Sequence, residues 1–540
     1  MLRRYFQVAF ICLLVIEEPE GTFFLRHLLR PLNKGRQILR TRLTRFKSAT
    51  TTKQPSRSKQ GGVAVSAGSS CPFSGSAQCK LSGTSRLPEE KRRRELVDFF
   101  ESTTLDIIAS VGPEKAGGVL EQLNQKVLQA THISTLCPRR RIPCEAAHSF
   151  RQSDGTCNNL DSPTWGSVGE CERRILPPNY GDGVSSPRSA RSGRALPSAR
   201  LVSLLVHDGT GRVRDVDERV THLSVAFGQF LAHDLGFIPF VRLPPLESKM
   251  GGQPGDVDPV DMLPIPVPDK DPLSSRFHQS TVPFFRSLPC LGCRLGFREQ
   301  ANSRTSYADM SPVYGVSAAI LTTLRLFRGG LLKSRTINGS EVLPPSTEPL
   351  NDNCSFPALA KICFRTGDFR CNEHTPLLLM HTIWLREHNR IARSLAARHP
   401  SWNDERLFQT TRRIVEAEYQ HVVYNEFLPA LLGEQITAAN NLRPLGSGFT
   451  QYDKSVDATS INEFATAAFR FMHSNIDGEF LRLSASGERL PPRELDKEYF
   501  QLFDFSAVQN SVLRGLLKQP VRKFGRLGDR AVTQMLFRHP

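Results

Sequence analysis

Two long stretches of helical periodicity limit what this chain can become. The segment "TPLLLMHTIWLREHNRIARSLAARH", residues 375–399, repeats apolar residues at helical spacing. Pro376 lies in its first turn, where a missing N–H leaves no helix bond unmade. "NDERLFQTTRRIVEAEYQHVVYNEFLPALLG", residues 403–433, follows as a long amphipathic run closed by Gly433. Helical patterns also cover 89–110, 217–235, 316–327, 459–474, 506–518 and 527–537, and alternating strand patterns are scarce. No repeat of fixed period appears. The expected fold is mostly α with little β and with long ordered loops. The proline-rich loop 236–300 is too long for a simple bundle, and loops of that length are often functional.

A hydrophobic content of 39%, with 33 Phe, is enough for a sizeable core. The net charge of +17 first suggests a nucleic acid or acidic surface as partner. Its distribution argues against that. Residues 21–60 carry 11 Lys or Arg and no Asp or Glu, so most of the excess sits in a leader. The remainder has no interleaving of basic and aromatic residues, and no nucleic-acid role is expected. Residues 1–20 pair Arg3 and Arg4 with an apolar run from Phe6 to Ile16, the pattern of a signal peptide or signal-anchor-like segment and too short for a stable membrane span. The Arg-rich, acid-free stretch after it also resembles a transit peptide, and secretion is the favoured reading. Residues 21–85 are basic and low in complexity, as in a disordered leader or pro-segment. Residues 86–139 are expected as a helical extension, and 140–540 as the main domain.

Twelve cysteines agree with secretion. Cys12 falls in the apolar run, which leaves an odd number and implies one thiol outside intrachain pairing. Cys157 with Cys171, and Cys354 with Cys363, are spaced to close local loops. Cys290 and Cys293 form a lone CxxC, too little for a zinc ribbon. Sequons at Asn338 and Asn353 permit glycosylation.

Four constellations could carry chemistry, and each has a bland reading when taken alone. In "FGQFLAHDLGF", residues 227–237, Gln229 and His233 share one helical face and Asp234 follows; such a histidine is commonly a satisfied core residue. In "RTSYADMSPVYG", residues 304–315, Thr305, Tyr307, Asp309 and Ser311 recur at every second position. An extended loop could aim their oxygens at one Ca²⁺, with Asp234 as a second carboxylate; a Ser/Thr-rich turn would read the same. In "GDFRCNEH", residues 367–374, Arg370 and Glu373 could be a local ion pair. His374, His381 and His388 recur at heptad spacing, about 10 Å apart on a helix, too far to share one metal ion. In "NEFATAAFRFMHSNI", residues 462–476, His473 follows Arg470 on a helix whose alanines admit a flat neighbour.

Taken together, "FGQFLAHD", "TSYADMSPVYG", "GDFRCNE", "LREHNRIA" and "FRFMH", in that order, resemble the animal haem peroxidase superfamily. "DGTCNNLDSPTWG" and "RRILPPNYGDGVSSPR" match its usual lead-in, and the resemblance covers roughly residues 140–540. The resemblance implies a secreted enzyme with haem b and Ca²⁺, which uses H₂O₂ to oxidise a phenolic, tyrosyl or halide donor. Extracellular-matrix or eggshell proteins are among the implied substrates. His233 would be the distal acid–base, Gln229 its companion and Arg370 the distal cation. His473 would ligate the haem iron, Arg470 a propionate, and Glu373 the macrocycle through an ester. Asp234, Thr305, Tyr307 (through its carbonyl), Asp309 and Ser311 would hold calcium.

Three departures from the family pattern stand out. Ala232 replaces the aspartate that forms an ester to the haem in many members, so at most one covalent link, through Glu373, is expected. His374 stands where a methionine can form a sulfonium link. Beyond Leu513–Pro520 the family continues to an asparagine that accepts a hydrogen bond from the proximal histidine, and that continuation is not expected before Pro540. An alternative reading is therefore a peroxidase-like matrix or adhesion protein with impaired catalysis.

Overall fold

The computed structural model describes residues 86–126, 142–145, 150–208, 215–240, 262–347, 363–448, 452–500 and 504–534, with Lys34, Gln37, Ile38, Thr41, Arg42 and Leu502. The apolar N-terminal run, most of the basic leader and the Asn353 sequon lie outside these residues. The chain divides into two compact units.

One unit comprises residues 1–141, 177–194 and 289–299. Its helices α1 (Arg86–Val111) and α2 (Pro113–Lys126) are separated only by Gly112, whose φ of +84° favours glycine. They close over a small core of Leu96, Phe99, Phe100, Ile107, Val119, Leu123 and Leu295. Asn124 clamps that core by donating to the Leu295 carbonyl at 2.9 Å and accepting from its N–H at 2.8 Å.

The other unit comprises residues 142–176, 195–288 and 300–540. Strand β1 (Val216–Thr221) leads into α3 (Leu223–Leu235). The short helix α4 (Ala318–Leu324) precedes the hairpin β2 (Arg335–Ile337) and β3 (Ser340–Val342), whose turn holds Asn338 and Gly339 at positive φ. Then come α5 (Thr375–Arg398), α6 (Asp404–Val422) and α7 (Asn462–Thr466). The hairpin β4 (Glu479–Leu483) and β5 (Arg489–Glu494), helix α8 (Phe505–Leu516) and strand β6 (Pro520–Arg522) complete it. Among the described residues every sheet is two-stranded and antiparallel, so the fold is mostly α, as expected.

Helix α5 is the axis of this unit. It buries Leu377, Leu378, Leu379, Met380, Trp384, Leu385, Ile391 and Ala392 on several sides, as a helix enclosed by others must. Helices α3, α6 and α8 pack around it. Among the described residues no helix is long and apolar enough to cross a membrane.

Three expectations need correction. Residues 217–221, read as the start of a helix, belong to β1, because β6 arrives from some three hundred residues away to pair Val216 with Arg522. The helix expected over 459–474 breaks at Ala467 (φ −132°, ψ −65°), after which Ala468–Asn475 winds as a tighter 3₁₀ turn. That break lets Phe464 and Phe469 stack at 4.8 Å and lets Arg470 Nε donate to the Ala465 carbonyl at 2.9 Å. Cys157 bonds Cys144 rather than Cys171. Cys171, Cys290, Cys293 and Cys363 are also in disulfides, and Cys354 lies outside the described residues. Cys371 is a buried thiol whose sulfur donates to the Phe364 carbonyl at 3.5 Å.

Candidate active site

The C-terminal turn of α3 carries His233 and Asp234, both buried. Neighbouring residues on a helix point about 100° apart, so the two side chains serve different surroundings. This end of the helix is fixed by segments remote in sequence. Asn302 Nδ2 donates to the Leu235 carbonyl at 2.9 Å, and Ser303 N–H to the Phe237 carbonyl at 2.8 Å. Arg370 Nη2 donates to the His233 carbonyl at 2.9 Å and Nη1 to the Gly236 carbonyl at 3.2 Å. Arg370 thereby supplies partners to carbonyls that a helix end leaves open.

Asp368 holds that arginine in place. Its carboxylate accepts from Arg370 N–H at 2.8 Å, from Nε at 2.9 Å and from Nη2 at 2.6 Å. It also pairs with Arg304 Nη2 at 2.9 Å and is fully buried. Burial opposes its charge, but the Arg304 and Arg370 guanidiniums outweigh burial and hold the carboxyl well below the usual range. The approach is tight on the backbone side as well. A Cβ at Gly367 would collide with Gly315 N and the Ser311 carbonyl, so only glycine fits there.

Nδ1 of His233 is buried and has no hydrogen-bond partner. Burial, then the charge of Arg370, pushes its pKa well below the ordinary imidazole value. At neutral pH the ring is uncharged and can accept a proton.

Asp234 faces the other way, into the loop 304–311. Its carboxylate accepts from Met310 N–H at 3.1 Å, Ser311 N–H at 2.8 Å and Ser311 Oγ at 2.7 Å. Met310 adopts φ +63°, an uncommon conformation for a side chain of its kind, and its N–H bond to Asp234 accompanies that strain. Asp309 accepts from Thr305 Oγ1 at 2.8 Å, and Thr305 Oγ1 also lies 3.4 Å from the Tyr307 carbonyl. All five expected oxygen donors thus gather at one place. Burial and the nearby Asp309 raise the pKa of Asp234 well above the carboxylate range, and burial raises that of Asp309. Two dehydrated carboxylates side by side want a cation.

Gln229 lies one turn before His233. Its Nε2 donates to Glu373 Oε2 at 3.0 Å, and His374 Nε2 lies 2.9 Å from its Oε1. Desolvation lifts Glu373 to about 7, against the pull of Arg370 and Gln229. The heptad histidines serve separate ends. His374 caps α5, while His388 bridges Tyr314 Oη and the Gly330 carbonyl, each at 2.9 Å. His381 is buried against Phe230, its ring centroid 4.9 Å from that of the phenyl, and faces the Pro312 backbone. No cluster of three or more His, Cys, Asp or Glu able to hold a metal occurs among the described residues.

Residues 462–475 lie alongside α3. A Cβ at Gly228 would collide with Met472 Sδ, so the two backbones approach closely there. A cleft of about 20 Å³, room for a single water, separates Ala232 and Phe237 from Phe464, Phe469 and Arg470. Burial, then Arg370, lowers the pKa of Arg470, which places the two guanidiniums in one electrostatic neighbourhood. His473 is exposed, and no described hydrogen bond involves its ring. Sequence reasoning singled out Gln229, His233, Arg370, Glu373 and the five oxygen donors. It passed over Asp368 and Arg304, although each sits beside a residue that was chosen.

A family model described as animal haem peroxidase matches residues 150–540. Chorion peroxidase of Aedes aegypti is 34% identical over 419 residues, covering 74% of this chain and 51% of that protein. The peroxidasin homolog of Mus musculus is 37% identical over 379 residues, covering 66% and 25%. The solved structure of peroxidase A from Dictyostelium discoideum superposes with a TM-score of 0.60 at 28% identity, covering 73% of each chain. The chain spans about half the length of the chorion peroxidases it matches.

Proposed function

Since the chain belongs to the animal haem peroxidase family, we propose that it uses hydrogen peroxide to oxidise a phenolic, tyrosyl or halide donor, with haem b as cofactor. The donor chemistry of the site fits that group: a buried imidazole with an orphaned Nδ1, a fixed guanidinium, and a second histidine free of hydrogen bonds on the neighbouring segment. The cleft beside Ala232 is far smaller than the several hundred Å³ a cofactor needs. The segment that faces α3 across that cleft, residues 462–475, is the one whose helix is interrupted at Ala467.

His473 would hold the iron, Arg470 a propionate, and Glu373 a single ester link, since Ala232 offers no carboxyl. Bound haem supplies the redox chemistry. His233, uncharged at neutral pH, takes a proton from one peroxide oxygen and returns it to the other. Arg370 sets a fixed positive charge beside the carbonyls of His233 and Gly236, where negative charge on peroxide can be balanced. Gln229 holds its amide on the same face as His233. Calcium held by Asp234, Thr305, Tyr307, Asp309 and Ser311 would fix the turn that carries His233. The chorion peroxidase and peroxidasin relatives, together with the disulfides, support secretion and a matrix or eggshell donor.

The observation that carries this reading is His233, buried, uncharged and clamped through its own carbonyl by Arg370. The test is spectroscopic and kinetic. The purified chain given haem should show a Soret band and oxidise a phenol only with H₂O₂. His473→Ala should lose the band, whereas His233→Ala should keep it and react with H₂O₂ about 10²–10⁴ times more slowly. Unchanged kinetics in His233→Ala would refute its role.

A further inference from the structure

His374 caps α5 with one ring nitrogen and meets Gln229 with the other. Leu377 N–H donates to His374 Nδ1 at 3.3 Å. A neutral ring that accepts at Nδ1 carries its proton on Nε2, so the 2.9 Å contact to Gln229 is an N–H donated to a carbonyl oxygen. The amide nitrogen of Gln229 then faces Glu373 Oε2 at 3.0 Å. The whole series runs in one direction: backbone to imidazole, imidazole to amide, amide to carboxylate. Burial of His374, lying against Phe480, keeps the ring neutral by lowering its pKa to about 4.

We infer that His374 is a positioning residue that locks the Gln229 amide with its oxygen toward the imidazole and its nitrogen toward Glu373. The α5 N-terminus selects the tautomer, the tautomer selects the amide orientation, and the amide presents a donor rather than an acceptor to Glu373. Without the imidazole N–H, the amide is free to turn over. Its oxygen would then face the carboxyl and favour the protonated acid. The significance for catalysis rests on the reading that Gln229 and Glu373 line the peroxide cleft; the hydrogen-bond series itself does not. The other charged groups that act on Glu373 are Arg370, which favours its charge, and Asp368, which does not; the neighbouring Tyr499 phenol is itself raised by burial and by Glu373 and stays neutral.

The test uses the full chain without haem, so haem uptake and the amide lock fail independently. Infrared difference spectra against pH follow the Glu373 carboxyl band, identified by its loss in Glu373→Gln. His374→Asn keeps an oxygen to cap Leu377 N–H but stops short of Gln229. Its Glu373 midpoint should rise from about 7 by about one pH unit, the size of a lost hydrogen bond to a charged acceptor. His374→Gln, long enough to donate to Gln229, should bring the midpoint back. In a Gln229→Leu background, His374→Asn should have no further effect. An unmoved midpoint in His374→Asn, or an equal shift in the Gln229→Leu background, overturns the inference. A melting temperature of His374→Asn close to the parent shows that the cap survived.

Discussion

Replacing Asp368 by Asn leaves the volume of the side chain and removes its charge. In the parent, Asp368 neutralises two guanidiniums, Arg304 at 2.9 Å and Arg370 at 2.6 Å; Asp368 and Arg304 are buried and Arg370 is partly buried. Removing the carboxylate leaves two guanidiniums with only backbone carbonyls as partners, at about 3–5 kcal/mol for a buried set. Unfolding entropy of roughly 2 cal/mol/K per residue means that a unit of several hundred residues loses on the order of 1 °C per kcal/mol. Asp368→Asn should therefore melt about 3–5 °C below the parent at pH 7 when followed by circular dichroism. The folded carboxyl is held below its unfolded value, so its stabilisation is complete above about pH 4 and fades as pH falls through the folded pKa. The gap between variant and parent should stay constant from pH 8 to about 5 and shrink in acid. Adding Arg304→Met removes one stranded charge and should recover part of the loss, a coupling of about 1–3 kcal/mol. A melting temperature within 1 °C of the parent at pH 7, or strict additivity in the double variant, would show that Asp368 does not hold the site together.

Other outcomes are equally direct. Calcium should raise the melting temperature, by about 2–3 kcal/mol of added stability at a hundredfold excess over Kd, and chelation should reverse it. Because Asp234 and Asp309 hold protons more tightly than usual, this gain should weaken as pH falls, and Asp309→Asn should lose it. His374, His381 and His388 are depressed to about 4, so stability they confer above the unfolded value near 6.5 should drain away between there and pH 4. His381→Leu should flatten that slope in an acid titration, since it removes one buried group that must take up a proton on unfolding. Gly367→Ala should cost about 2–3 kcal/mol or more, measured by urea unfolding, because its methyl would strike backbone rather than a side chain that can swing aside.

Periodicity was enough for α5 and α6, whose apolar residues repeat over many turns and whose caps are local. It failed at β1. Val216, Val220 and Leu223 fit a helix as well as a strand, and the deciding partner, β6, lies at the far end of the chain. It failed again at Ala467, where alanines favour a continuous helix but the break accompanies stacking of Phe464 on Phe469 and the Arg470 bond to the Ala465 carbonyl. Within the candidate site, the alternation of Thr305, Tyr307, Asp309 and Ser311 announced an oxygen-lined loop. The work of Asp368 could not be read, because "GD" before an arginine is an ordinary turn until Arg304 arrives from another segment. His374 was read as one of three heptad histidines too far apart for a metal and as the absence of a link, since its tautomer depends on a helix start that one letter does not display.

The last turn of α3 also bears on the order in which the molecule assembles. A helix of this length forms within about a microsecond, but its final turn is held by Met310 and Ser311, 76 and 77 residues on, and by Arg370, 137 residues on. Those bonds wait for long loops to close, and closure of distant contacts is slow. The constellation around His233 therefore rests on contacts of high sequence separation, and it is expected to form late in folding. Helix content can therefore be nearly complete before the surroundings of His233 are in place, so secondary structure alone is a poor clock for the assembly of this site.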